Sequence, residues 1–336
     1  MSIPESYNSS LEYHRQSPAG KLSVMPTKPM ETQGDLAKAY SPGVAGPVLA
    51  IANSAAAAYE YTSRGNLVGV VSNGTAILGL GNLGGLASKP VMEGKAVLFK
   101  KFAGIDAFDI ELNSSDPQAV IEAIAMLEPT FGGINLEDIR APDCFEIEQE
   151  LLKRVSIPLM LDDHNGTAIV ASAALINALH IGGKELSEVS VVINGAGAAG
   201  IAIANMLLSL GVAKDQLILC DSQGVIHSGR KNELDASKVP FAKDSMERSL
   251  EDAMEGSDVF IGVSKADTVS PALLQSMNKN PVVLALANPE PEIPYQLARE
   301  TRPDAIMATG RRDHPNQVNN VLCFPFLFRA ALDTRA

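Results

Sequence analysis

The chain has 336 residues, of which 46% are apolar and 20% charged, and it carries a formal net charge of -12 at pH 7. That length and apolar content suffice for a full core divided between two domains, while the acidic balance disfavours nucleic acid and anionic membranes as partners, although a local basic patch can still bind an anionic cofactor. The opening MSIPESYNSS has neither a basic nor an apolar targeting region, and Gly, Ser or charge interrupts the apolar stretches, so no membrane span is expected and the cytoplasm is the expected compartment.

After a polar first thirty residues, the apolar runs NLVGVVSNG, AFDIEL, GGINLED, IPLMLDD, VSVVING, QLILCDS, DVFIGVS, PVVLALANP and AIMATG alternate with stretches of helical period. Repeated βα units with a mostly parallel sheet follow from that alternation. Helices are predicted over 117–128, 142–153, 166–180 and 199–210, and the polar segment 227–249 reads as a surface excursion. The fold class is α/β: an N-terminal α/β domain over 1–165, then a Rossmann-like doubly wound domain over 166–336. Cys144, Cys220 and Cys323 lack any C-x-x-C spacing and read as core residues.

Two stretches match G-x-G-x-x-G. Gly195, Gly197 and Gly200, with Ala198 among them, follow the strand run VSVVIN and open a long apolar helix, the context in which backbone N–H groups and a helix N-terminus hold pyrophosphate. Gly79, Gly81 and Gly84 are followed by Pro90 and are read as an active-site loop or turn, with no following strand ending in an acid. Asp221 closes the strand after the second match, where it can accept from adenosine ribose hydroxyls and favour NAD; Arg230 and Lys231 follow and could supply cations to a 2'-phosphate.

Two acid pairs, Glu137-Asp138 and Asp162-Asp163, each close a strand-like run. Acids at neighbouring strand ends can converge on a hard cation, Mg²⁺ or Mn²⁺; the competing reading is that they cap the helices that follow. His164, with no second His or Cys at ligand spacing, does not make a zinc site. Taken bare, Lys95 reads as a solvated helix residue and Tyr40 as a half-buried turn residue, while Asn288, Asn319 and Asn320 are either turn formers or amides that grip carboxylates or a nicotinamide.

The segments AYSPGVA, SNGTAILGLGNLG, KPVMEGKAVLFKKFAGIDAFDIE, EPTFGGINLEDI, DDHNGTA, NGAGAAGIAI, LANPEPEI and NQVNNVLCFPF together resemble the malic enzymes, of the bacterial small-subunit type or the malic domain of the bacterial hybrids. The resemblance implies oxidative decarboxylation of (S)-malate to pyruvate and CO₂ with reduction of NAD or NADP. It implies Glu137, Asp138 and Asp163 as ligands of Mg²⁺ or Mn²⁺, Lys95 as general base and Tyr40 as general acid; Asp162, next to a ligand, is read as orienting Lys95 or a metal ligand. Thr75, Gly195, Gly197, Ala198, Gly200, Asp221 and Asn288 fall on cofactor positions, Asn288, Asn319 and Asn320 on substrate positions, and a homodimer or higher homo-oligomer is expected. His164-Asn165 stands where related bacterial sequences have Gln-His. The sequence stops soon after CFPFLFRAALDTRA, where small family members usually continue through a further helical tail and the hybrids add a phosphotransacetylase-like domain, so that either an excised piece or a naturally short form is expected. Two alternatives remain: oxaloacetate decarboxylation or 2-keto acid reduction alone, and a catalytically weakened nucleotide-binding regulatory module.

Overall fold

In the computed structural model, which describes residues 3–77, 80–230 and 233–336, the apolar runs form two sheets. The first comprises β1 (Leu67–Ser72), β2 (Asp106–Glu111), β3 (Gly133–Leu136) and β4 (Leu159–Leu161), ordered β2-β1-β3-β4 and parallel throughout. The second comprises β5 (Val191–Asn194), β6 (Leu217–Asp221), β7 (Gly224–Val225), β8 (Val259–Gly262), β9 (Val282–Ala285) and β10 (Ile306–Thr309), ordered β10-β9-β8-β5-β6-β7, with β7 antiparallel.

Parallel strands covered by helices on both faces need apolar residues at every position. In β1, Leu67 and Val71 point to one core and Val68 and Val70 to the other. Gly69 leaves room for Phe131, whose ring lies 3.0 Å from where a Cβ would stand. Helices Pro117–Leu127 and Asp143–Arg154 cover one face of the first sheet, and Gly85–Ala103 with Phe324–Thr334 cover the other. Helices Asp162–Gly182 and Ala198–Leu210 cover one face of the second sheet, and the short helices Leu250–Met254, Pro271–Gln275 and Tyr295–Thr301 cover the other.

Two features depart from the sequence expectations. Helix Asp162–Gly182 starts directly after β4, so the second acid pair occupies the first helical turn and the expected division at 165/166 falls inside a continuous helix. That helix is also long and apolar enough to cross a membrane by length and composition; it packs instead on Ala198–Leu210 and into the core of the second sheet. The last helix returns to the first sheet: Phe324 and Phe328 meet Phe99 edge-on at 4.8 and 5.2 Å, and the Arg329 guanidinium donates to Asn66 at 2.6 Å.

Each sheet has a switch point, where the chain leaves a central strand to one side and later returns to its other side. In the first it lies between β1 and β3, in the second between β5 and β8. Ligand crevices form beyond the carboxyl ends of strands at such points. Residues 3–66 contain no buried residue; they are tied down through Lys21, whose ammonium donates to the Pro90 carbonyl at 2.8 Å, and Arg64, which donates to the Phe131 carbonyl at 3.0 Å.

Candidate active site

The acid pairs converge at the switch point of the first sheet. Glu137 and Asp138 follow β3, and the Glu137 N–H extends the ladder by donating to the Val71 carbonyl at 3.0 Å. Asp138 adopts φ 52°, which turns the chain sharply at that point. Its N–H donates to Asp163 Oδ2 at 2.8 Å, tying the first turn of helix Asp162–Gly182 to the end of β3. One carboxylate oxygen from each of Glu137, Asp138 and Asp163 lies within 4.8 Å of the others. Asp162 and Asp163 stand in the first helical turn, where acids are favoured, yet neither makes a cap bond there; the Asp163 carboxylate accepts instead from the end of another strand.

Lys95 lies in the same cluster. Its ammonium donates to Asp162 Oδ2 at 2.6 Å, stands 2.8 Å from Glu137 Oε1 and sits 4.1 Å over the Phe324 ring. The residue is 7% exposed, so the solvated-helix reading of Lys95 is overturned: the helix turns this face onto the ends of β3 and β4. Burial alone would lower the lysine pKa, but the charges of Glu137, Asp162 and Asp163 outweigh it and hold Lys95 above its ordinary value. Burial raises Glu137 and Asp162 in turn, with Asp163 adding repulsion to both and Lys95 partly offsetting it. Several carboxylates around one ammonium form a charge set deficient in cations. A donor set made only of carboxylates fits Mg²⁺ or Mn²⁺.

Asp162 is fully buried, and Gly166 one turn later makes its orientation possible, since a Cβ there would fall 1.9 Å from Asp162 Oδ1. The neighbouring His164 and Asn165 face the other way. Asn165 donates to Glu148 at 2.7 Å, while His164 stands 3.7 Å from Glu148 and packs edge-on against Phe145. This pair contacts helix Asp143–Arg154 and not the carboxylate cluster.

Thr75, expected at the cofactor, lies beside the acids. Its hydroxyl donates to Asn73 at 2.7 Å and accepts from the Arg140 N–H at 3.0 Å, while the Ala76 N–H donates to the Asp138 carbonyl. Gly74, at φ 66°, is required here because a Cβ would lie 2.2 Å from the Gly84 carbonyl oxygen. Gly84 caps helix Gly85–Ala103, which accommodates Pro90 internally and leads to β2, ending in Glu111. The first glycine stretch thus does open a βαβ unit whose second strand ends in an acid, contrary to expectation; Gly79 lies outside the described residues.

Tyr40 is not half-buried: it is 76% exposed at the end of the short helix Gln33–Ala39. No described hydrogen bond, ion pair or ring contact joins it to Lys95 or the acids. Asn319 and Asn320 lie on the segment from β10 to the last helix, where the Val318 N–H donates to the Thr309 carbonyl at 2.8 Å and the Asn319 side chain accepts from Val321 at 3.0 Å. This segment packs on helix Asp162–Gly182 and ends at Phe324, under Lys95.

In the second sheet, Gly195 to Gly200 lie at the β5/β8 switch point. A Cβ on Gly195, at φ 120°, would sit 2.5 Å from the Val263 carbonyl oxygen, and one on Gly200 would sit 1.7 Å from the Gly195 carbonyl oxygen. Gly197 faces open space at the N-terminus of helix Ala198–Leu210, a cradle that fits a dinucleotide pyrophosphate. Sequence reasoning missed the support beneath it: buried Glu292 accepts from the Ser264 N–H at 2.9 Å and hydroxyl at 3.0 Å and from the Ala287 N–H at 3.1 Å, and Asn194 donates to Ser264 at 3.1 Å. These bonds join the ends of β5, β8 and β9 and fix the turn that carries exposed Asn288, whose amide donates to Leu286 at 3.3 Å. An acid four residues after Asn288 was the only sequence signal for this network.

Asp221 ends β6 as expected, but its carboxylate is occupied. Arg230 donates to it twice, at 2.9 and 2.8 Å, the Gln223 N–H donates at 2.9 Å, and the Lys238 ammonium lies 3.5 Å away. Arg230 thus folds back onto Asp221, the course that the sequence left open beside an NAD-favouring acid; Lys231 lies outside the described residues. The three cysteines are buried, and burial pushes Cys144 and Cys220 up to about 12 and Cys323 to about 11, so their thiols remain protonated at neutral pH.

A carboxylate cluster with a buried lysine at one switch point and a glycine cradle at the other define a two-part, nucleotide-binding α/β enzyme architecture. Residues 19–152 match the malic enzyme N-terminal domain and residues 164–336 the malic enzyme NAD binding domain, and the chain belongs to the malic enzyme family. It is 56% identical over 329 residues to the NADP-dependent malic enzyme of Escherichia coli, covering 98% of this chain and 43% of that protein. It is 53% identical to an NAD-dependent malic enzyme of Rhizobium meliloti, covering 97% of this chain and 42% of that one. The chain thus spans less than half the length of these relatives. The crystal structure of an NAD-dependent malic enzyme from Thermotoga maritima superposes with a TM-score of 0.92 at 46% identity, covering 97% of this chain and 87% of that one.

Proposed function

We propose that the chain oxidatively decarboxylates (S)-malate to pyruvate and CO₂ with reduction of NAD(P)⁺, dependent on Mg²⁺ or Mn²⁺ held by Glu137, Asp138 and Asp163. The observation that carries this reading is the buried Lys95 ammonium between Asp162 and Glu137, within a carboxylate cluster deficient in cations. When bound, the divalent cation supplies Lewis acidity at the C2 oxygen and the nicotinamide supplies a hydride acceptor.

Lys95 takes the proton of the C2 hydroxyl. It can do so once the carboxylates no longer hold its own proton, because burial then acts to lower its pKa. Asp162 keeps the amine aimed at that oxygen. Tyr40 returns a proton to C3 after CO₂ leaves, and Asn288, Asn319 and Asn320 bind carboxylate and amide groups. Gly195, Gly197, Ala198 and Gly200 hold the pyrophosphate, while Thr75 stiffens the loop against Asp138. The functional division runs between the sheets, with helix Asp162–Gly182 shared by both. The working form is a cytoplasmic homodimer; residues 3–66 support this with exposed Met25, Tyr40, Val48 and Leu49 and equal numbers of acidic and basic side chains, on a chain of net charge -12.

Absorbance of reduced nicotinamide, followed with malate, Mn²⁺ and either NAD⁺ or NADP⁺, tests the reading. Chelator-sensitive reduction matched by pyruvate formation is expected. Nucleotide binding without turnover would instead support the weakened-module alternative.

A further inference from the structure

Resting on the metal-dependent reading of the first sheet, we propose that Asn135 is a positioning residue for Glu137: its side-chain amide fixes that carboxylate before a cation arrives and thereby sets the affinity for Mg²⁺ or Mn²⁺. Asn135 lies on β3 two residues before Glu137, so both side chains leave the same face of the sheet. Asn135 Nδ2 donates to Glu137 Oε2 at 2.9 Å, and the Lys95 ammonium stands 2.8 Å from Oε1.

Glutamate has a long side chain, and an unheld carboxylate would sample many orientations beside the other acids. With one donor on each oxygen, Glu137 cannot turn about its terminal torsion without losing a bond. Each oxygen keeps a lone pair, so the carboxylate still accepts a cation. Ordering of this side chain then takes place on folding and does not weaken ion binding. The two donors differ in charge. Lys95 already brings one cation to the cluster, and a second would compete with the divalent ion for the same acids; the neutral amide orients Glu137 and adds no charge.

Core packing does not explain an amide at this position. In register with Asn135 stand Val70 on β1 and Met160 on β4, and Gly133, two residues earlier on the same face, lies against Phe328. Val70, Met160 and Phe328 belong to one apolar cluster, and Asn135 is fully buried beside them. Among the described residues Glu137 is the one hydrogen-bond partner of its side chain, and its buried Oδ1 has none. An aliphatic residue of similar size would fill the space without an unpaired carbonyl. The amide is held one way round, since the reverse would set Oδ1 against the carboxylate. The polar group therefore serves Glu137 and not the core.

Electron paramagnetic resonance of free Mn²⁺, titrated into the whole chain without malate or nucleotide, reads the affinity directly. Asn135→Leu deletes the donor at nearly constant volume and is expected to weaken Mn²⁺ binding roughly tenfold or more, with the affinity for nicotinamide dinucleotide unchanged by calorimetry. Asn135→Ala deletes the same donor without crowding and should lose affinity likewise, which decides the matter where the leucine variant does not fold. Asn135→Gln keeps a donor but adds a methylene to a closed core; it should lower Tm yet hold Mn²⁺ more tightly than the leucine variant does. Mn²⁺ affinity unchanged in the leucine or alanine variant, or a loss that glutamine does not lessen, would overturn the positioning role; a lowered Tm with unchanged affinity would mark a residue of the core alone. If the unaltered chain binds no Mn²⁺, the metal-dependent reading falls and this inference with it.

Discussion

Lys95 balances several buried carboxylates with one ammonium, and this predicts what its loss does. Lys95→Met should destabilise the metal-free protein by about 3–5 kcal/mol, since the acids are left buried without a cation. Scanning calorimetry with and without Mn²⁺ checks it: the variant should recover much of its lost Tm with metal and show no malate turnover. An unchanged metal-free Tm would mean that the cluster already carries protons in place of charge. Gly166→Ala puts a methyl 1.9 Å from Asp162 Oδ1 and should turn that carboxylate off Lys95. A fall in kcat of roughly tenfold or more, with nucleotide KM unchanged, is expected from the misplaced base. Asp162 and Asp163 are adjacent in sequence, yet side chains one residue apart on a helix diverge by about 100°. One therefore meets Lys95 and the other the Asp138 N–H, a division of partners that adjacency alone cannot reveal.

At the scale of elements, Asp258 joins three pieces of the nucleotide unit just before β8. It accepts from Lys184 at 2.7 Å, from the Ser190 N–H and hydroxyl at 3.1 Å each, and from Asn278 at 3.2 Å. Burial acts to raise its pKa, but Lys184, Ser190 and Asn278 outweigh it and hold the carboxyl below the ordinary range. A depressed folded-state pKa means stabilisation present above the unfolded pKa and lost as pH falls through the folded one. Asp258→Asn should therefore cost about 1–3 kcal/mol at pH 7, measured by urea unfolding. The difference should shrink as pH drops below about 4 towards the folded-state value; a cost independent of pH would show that geometry and not charge is responsible. The strand runs were legible because parallel strands buried on both faces leave unbroken apolar stretches. Helix Gly85–Ala103 was legible only as the helical setting of Lys95 and not in its extent or buried face, since its internal Pro90 and its start after a glycine-rich turn both argue locally against a helix. Burial of Met92, Ala96 and Phe99 against β1 outweighs that local preference.

Across the whole molecule, the last helix reaches back from the second sheet to the first and floors the site with Phe324. Phe328→Ala, which removes a 2% exposed ring from against Phe99 and Gly133, should destabilise the protein by about 3–5 kcal/mol. Because that helix also carries Phe324 under Lys95, malate turnover should fall even where the variant stays folded; stability lost with full activity retained would separate the two roles. Local patterning by itself determined the βα alternation, the glycine cradle and its helix, and the acids as a candidate metal set, because burial period and phosphate-cradling backbone are written in short stretches of chain. Only the tertiary structure decided that Lys95 is the lysine facing the acids, that Asp221 is held by Arg230 and Lys238, that Glu292 ties three strand ends together, and that the final helix belongs to the first core. Each of these joins residues far apart in the chain or on separate turns, and the direction of a side chain and the charge it meets are set by packing.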